Sequence, residues 1–186
     1  MNPVEPNLTK VGDVRPSGLL LNLAAIPLML ILVAGLLWLA KSLPGARPPG
    51  PTALLWVLPA LLLLMTLHEL THAAAFKLLA RLPWRTFKFG FNPKALVLYC
   101  HCPVPVTVAV YRWTTLAPLL VLGTLSVLAL LVYPAEWLAV LAGLHLAACI
   151  GDVWIVAGLR KFAPDLLVRD HPSDPGCEVF ASAVAK

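Results

Sequence analysis

Charge is what this sequence has least of. Only 12% of its 186 residues are Asp, Glu, Lys or Arg, against 60% hydrophobic ones, and a mean hydropathy of +0.85 lies well beyond the balance of a soluble globular domain. A water-soluble fold is excluded. The net charge of +5 would suit a nucleic-acid partner only if the basic residues were gathered into a patch with interleaved aromatics, and instead they are spread among short links. No nucleic-acid partner is expected.

What the chain has in abundance is long apolar runs. A bilayer crossing needs roughly 20 apolar residues, and four windows reach that length: 18–40, 53–80, 114–133 and 136–159. The first follows a 17-residue polar lead, is longer than the apolar region of a signal peptide, and shows no clear cleavage signature, so it reads as a retained span. These windows predict an all-α integral membrane protein with about four transmembrane helices. The expected organisation is a lead over 1–17, a membrane domain over 18–159 with a hairpin link over 82–112, and a tail over 160–186.

The few cations set the topology. Lys10 and Arg15 precede the first window, Lys41 and Arg47 lie in the Pro-rich link "KSLPGARPPGP", and Arg81, Arg85, Lys88, Lys94 and Arg112 fill the long link. The turn between the third and fourth windows has none, and Arg160, Lys161, Arg169 and Lys186 follow the last. By the positive-inside rule both termini and the long link face the cytoplasm, as an even number of crossings requires. The lipid bilayer is the first expected partner, and the expected location is a prokaryotic inner membrane. Cys100, Cys102, Cys149 and Cys177 then lie on the reducing side or within the membrane, which disfavours a disulfide framework. Trp38, Trp84, Trp113 and Trp137 lie near window ends, as interfacial anchors do.

Of nine acidic residues only Glu69 and Asp152 fall deep inside apolar windows, where an ionisable group costs about 2.5–3.5 kcal/mol on insertion scales and marks a functional site. His68, His72 and His145 share the same two windows. His72 lies nine residues before Arg81 and Asp152 eight before Arg160, which at 1.5 Å per residue puts both roughly 12–14 Å below the cytoplasmic helix ends. The second and fourth helices can therefore meet at one depth. At 100° per residue His68, Glu69 and His72 share one side of their helix. His145, Cys149 and Asp152 share one side of theirs, opposite a small-residue ridge of Gly143, Ala147 and Gly151 that would admit a neighbouring helix. The His/Cys/Asp side is expected to face a cavity.

The stretch "LHELTH" places two imidazoles one helical turn apart, the arrangement that binds zinc, with a glutamate beside the metal where it can take a proton from water. A catalytic zinc wants a third protein ligand and one open position, and Asp152 is the best third ligand in the sequence. His145 has three readings open: a ligand, a group stabilising an oxyanion, or a histidine bonded to a neighbouring helix. Cys149 reads as a small buried residue. The lone Cys-His-Cys of "YCHCP" lacks the paired spacing of a structural zinc site.

Between the second and third windows, Phe87, Phe89 and Phe91 alternate with Lys88 and Gly90 before Asn92-Pro93, a β-hairpin pattern at the membrane surface. Its edge could hold an extended peptide, or it could simply cap the helices. The tail's "CEVFA" is a candidate to pair with that hairpin, and Asp170 and His171 read as turn formers before Pro172 rather than metal ligands.

His68-Glu69-Leu70-Thr71-His72, Leu116-Ala117-Pro118, Gly151-Asp152 and the tail "VRDHPSDPG" together resemble the putative zincin peptidases, bacterial membrane proteins first catalogued as a domain of unknown function and similar in turn to site-2 proteases. The resemblance covers roughly 55–180. It implies a three-helix metalloprotease core in which His68, His72 and Asp152 hold one zinc ion, Glu69 is the catalytic acid/base, and the first span is an addition. The order Gly-Asp-Val departs from the Leu-Asp-Gly of site-2 proteases and leaves the oxyanion-stabilising group unassigned, with His145 a candidate accessory. The function so implied is hydrolysis of membrane-associated peptide or protein substrates, and homo-oligomerisation is compatible with it. A metal-binding module that holds partner helices without cutting, and a cation carrier using the same residues as a relay, are the rival readings; no internal repeat supports the latter.

Overall fold

The computed structural model describes residues 8–92, 97–172 and 174–182. Its helices are α1 (Gly18–Ser42), α2 (Ala53–Leu79), α3 (Val108–Pro118), α4 (Thr124–Val132), α5 (Glu136–Ala148) and α6 (Ile150–Leu159). A π-helical turn, Leu119–Gly123, joins α3 to α4, and a single turn residue, Cys149, separates α5 from α6. Four stretches are therefore long and apolar enough to cross a membrane: Leu23–Ser42, Leu55–Leu79, Val108–Val132 and Glu136–Leu159. Large apolar side chains such as Leu63 (61%), Trp56 (69%) and Leu78 (75%) stand exposed on them, a coat that water would penalise and lipid would not.

The third of these starts earlier than its hydropathy suggests. Thr107 caps α3, its hydroxyl accepting the Val110 N–H, and that fixes the helix start six residues before the expected 114. The polar residues so enclosed find partners: Arg112 donates to the carbonyls of Leu159 and Phe162 beyond the end of α6. At the other end of α2, Arg81 takes a left-handed φ of 56°, the conformation that commonly stops a helix.

The chain is not all-α. Strands β1 (Leu8–Val14), β4 (Val106–Thr107), β5 (Leu167–Asp170) and β6 (Cys177–Ser182) form an antiparallel sheet in the order β1-β6-β5-β4. Val14 lies opposite Cys177 and Leu8 opposite Ser182, with the register shifting between Lys10 and Gly12. The polar lead and the tail are thus two neighbouring strands. The expected pairing of "CEVFA" with the hairpin is wrong: β6 lies between β1 and β5. The hairpin exists as a separate two-stranded sheet of β2 (Lys88–Asn92) and β3 (Val97–His101), with Gly90 opposite Tyr99. Of its expected turn at Asn92-Pro93, Asn92 ends β2 and Pro93 lies outside the described residues.

One buried cluster fastens these parts together. Ala73 and Phe76 of α2, Phe87, Cys102, Val108 and Tyr111, Leu159 of α6, and Val14, Val168, Cys177 and Val179 of the sheet are packed into it. Each large side chain so buried is worth about 1.5–3 kcal/mol. The sheet and hairpin are therefore anchored against the same end of α2, α3 and α6, one turn of helix beyond His72.

Candidate metal centre

α2 crosses the bundle against α3 and α5, and the turn that meets both carries His68, Glu69 and His72. Spacing i, i+4 stacks the two imidazoles: their centroids are 4.8 Å apart at 79°, and their Nε2 atoms 3.2 Å apart. Asp152, on α6, completes the group with Oδ2 3.2 Å from His68 Nε2 and Oδ1 3.6 Å from His72 Nε2. The three residues expected to share a metal are together, at the same depth on two helices.

A test of fit follows from these separations. Ligand atoms around a tetrahedral zinc at about 2.0–2.1 Å are about 3.3–3.4 Å from each other; the two Nε2 atoms are 3.2 Å apart, and each has its own Asp152 oxygen close to that value, Oδ2 at 3.2 Å from His68 and Oδ1 at 3.6 Å from His72. The donor chemistry agrees, two imidazole nitrogens and one carboxylate oxygen being an ordinary zinc set. Asp152 Oδ2 is moreover buried and accepts no hydrogen bond. A buried carboxylate oxygen without a donor is costly unless a cation faces it. Its only ion-pair partners among the described residues are the two histidines, so pairing with a lysine or arginine is not its role.

The outer nitrogens of the two imidazoles are also engaged. His72 Nδ1 lies 2.9 Å from the Thr114 carbonyl, and Thr114 is itself fully buried, its hydroxyl donating to the Tyr111 carbonyl. His68 Nδ1 lies 3.3 Å from His145 Nε2 and 4.0 Å from Cys149 Sγ. This contact realises one of the three readings of His145, the bond to a neighbouring helix, and leaves the ligand reading open. A second donor set, His68, His145 and Cys149, is therefore also compact enough for a metal. It offers no carboxylate and no neighbouring acid/base, whereas the Nε2 side of His68 has both.

Glu69 is half-buried, and its carboxylate reaches the backbone of Cys100 in β3. That contact sets the hairpin beside the motif. Its carboxylate oxygen is within 4.8 Å of the ligand nitrogens of His68 and His72, close enough for a water between them to be shared. Sequence reasoning missed Thr114, since a backbone carbonyl has no residue signature.

One expectation about α5 needs correction. The side bearing His145, Cys149 and Asp152 meets His68 directly. The small-residue ridge serves α1 at Gly143, where a Cβ would come within 2.8 Å of the Val33 Cα, but a Cβ on Gly151 would meet nothing within 4 Å.

The remaining polar candidates behave as structural groups. Asp170 is half-buried and accepts from the Tyr111 hydroxyl at 2.5 Å and the Cys102 N–H at 2.6 Å, with His101 Nδ1 at 3.7 Å. His171 Nδ1 accepts the Asp174 N–H, as a turn former does. Burial pushes the Cys100 thiol up to about 12 and the Cys102 thiol to about 11. Both stay protonated near neutral pH in the metal-free protein.

Helices of membrane-crossing length carrying a His-Glu-x-x-His turn and a facing aspartate define a zincin-like class of metallopeptidase scaffold. A family model described as "putative zincin peptidase" matches residues 61–167, more than half of the sequence, and the chain belongs to that family. No curated protein and no solved structure matches it.

Proposed function

We propose that this protein is a membrane-embedded zinc metallopeptidase that hydrolyses peptide bonds of membrane-associated substrates, with its active site below the cytoplasmic surface. The observation that carries the reading is the closed set of separations among His68 Nε2, His72 Nε2 and the Asp152 carboxylate, beside Glu69. His68, His72 and Asp152 would hold one zinc ion. When bound, zinc lowers the pKa of water and polarises a carbonyl.

The protein's own residues supply the rest. Glu69 accepts the proton of the attacking water and returns it to the leaving amine. Thr114 fixes the ring of His72 through its carbonyl, so that His72 presents Nε2 inward. The apolar walls of α2 and α5 limit water to what the reaction consumes. A transmembrane helix keeps its amides paired, so a substrate must be unwound before its carbonyl can be attacked. β3 lies where an unwound segment could pair with its backbone: the Cys100 main chain already faces Glu69, and a strand laid there would bring its peptide bonds to the acid/base. Kinship with site-2 proteases is part of this proposal, as is an even-numbered topology with both termini cytoplasmic in a bacterial inner membrane.

A metal-binding module without chemistry would keep the same three ligands, and Glu69 separates the two readings. The test is zinc content, together with cleavage of a panel of membrane peptides, for wild type, Glu69→Ala and His72→Ala. We expect Glu69→Ala to retain zinc and lose cleavage, and His72→Ala to lose both. Undiminished cleavage by Glu69→Ala overturns the mechanism, and stoichiometric zinc with no cleavage by wild type favours the module.

A further inference from the structure

We propose that His145 is the positioning residue of His68, accepting its Nδ1–H so that Nε2 is left bare and aimed at the metal. The inference rests on the ligand assignment above and extends it to a residue that touches neither metal nor substrate.

An imidazole that binds a metal through Nε2 must carry its proton on Nδ1, and that N–H needs an acceptor to hold the ring in place. For His72 the acceptor is the Thr114 carbonyl. For His68 the nearest acceptor is His145 Nε2 at 3.3 Å, the rings meeting edge to face at 75° with centroids 5.5 Å apart. Two N–H groups cannot face each other at that distance, so His145 Nε2 is unprotonated and its own proton sits on Nδ1.

The other end of His145 argues for this specific duty. His145 is fully buried, and its Nδ1 has no hydrogen-bond partner among the described residues. A histidine kept only for packing would satisfy both nitrogens or be replaced by leucine, since an orphaned buried N–H is a cost. Here the single bond the ring makes goes to His68. Cys149 Sγ, at 4.0 Å from the same His68 Nδ1, is farther and a weak acceptor. One ligand is thus held by a backbone carbonyl that no side-chain change can remove, and the other by a side chain that can be exchanged.

The experiment measures zinc affinity of the full chain in detergent, by competition with a chromophoric chelator, for His145→Asn, His145→Gln, Cys149→Ala and His72→Ala. Thermal unfolding of each metal-free variant is measured alongside. Gln places an amide oxygen near the former Nε2 position, whereas Asn carries the same amide too short to reach. Losing an outer partner of a zinc ligand costs about 10–100-fold in affinity. We expect that loss for His145→Asn, recovery to within a few-fold of wild type for His145→Gln, and no change for Cys149→Ala, with metal-free melting temperatures equal for Asn and Gln. A role in packing alone would not separate Asn from Gln. If His72→Ala loses zinc while His145→Asn binds as wild type, or Gln is as weak as Asn, the positioning role is overturned and the ligand assignment stands. Zinc retained by His72→Ala but lost by Cys149→Ala would instead put the metal on the Nδ1 side of His68 and overturn the assignment itself.

Discussion

Asp152 Oδ2 is buried and lies 3.2 Å from His68 Nε2, its nearest partner among the described residues. One carboxylate oxygen thus waits beside an imidazole on a different helix. If a cation belongs between them, removing the charge while keeping the shape is the informative change. Asp152→Asn should weaken zinc binding by more than the 10–100-fold typical of an outer partner, and equilibrium dialysis of the solubilised protein reads it directly. Without metal the same variant should melt near the wild-type temperature, because the amide is cheaper to bury than a carboxylate but gives up the pairing with the two histidines.

Gly143 tests whether α1 is an addition to the core. A Cβ there would come within 2.8–2.9 Å of the Val33 backbone, so Gly143→Leu must push α1 away from α5. Overpacking of this kind costs about 1–3 kcal/mol. We expect a lower melting temperature with zinc content unchanged; loss of zinc would mean that α1 also shapes the centre.

Asp170 should prove structural. Replacing it by alanine leaves the Tyr111 hydroxyl and the Cys102 N–H without their acceptor, at about 1–3 kcal/mol for each buried donor. Asp170→Ala should therefore unfold at lower temperature in detergent and still bind zinc stoichiometrically when folded. Loss of zinc from the folded variant would return Asp170 to the list of ligands.

Glu178 gives the sheet a pH dependence. The hydrogen bond from Lys10 at 2.7 Å, with the Arg169 guanidinium beside it, holds its carboxyl below the usual glutamate range. A lowered folded-state value means stabilisation that is present above about pH 4.3 and is lost as the pH falls through the folded-state value. Glu178→Gln should lower the melting temperature near neutral pH, by about 2–4 °C for each kcal/mol lost. Below pH 4 the difference from wild type should close. A gap that persists there would assign the effect to packing.

Much of the centre was legible because its chemistry is sparse. In a chain with so few charges, Glu69 and Asp152 stand out, and a count back from Arg81 and Arg160 sets His72 and Asp152 at matching distances from their helix ends. His145 was legible as a candidate but not as a role, because three assignments share one sequence position and its 3.3 Å approach to His68 could not be read from it. The sheet was not legible. β1 is interrupted at the Lys10–Gly12 shift, which breaks the alternation that marks a strand, and its partner is more than 160 residues away. The start of α3 was hidden for a different reason: Tyr111 and Arg112 look like link residues until Asp170 and the carbonyls of Leu159 and Phe162 are seen to take up their polar groups.

The pairing of β1 with β6 has a consequence in time. β1 is made first and β6 last, so during synthesis the leading strand has no neighbour until the helices between them have been laid down. Contacts of such long sequence separation form slowly, and an unpaired strand edge invites association with other chains. A chain interrupted before Cys177 would leave both β1 and β5 open on one surface. β6 is therefore the keystone of the sheet: until it is inserted, neither β1 nor β5 has its neighbour.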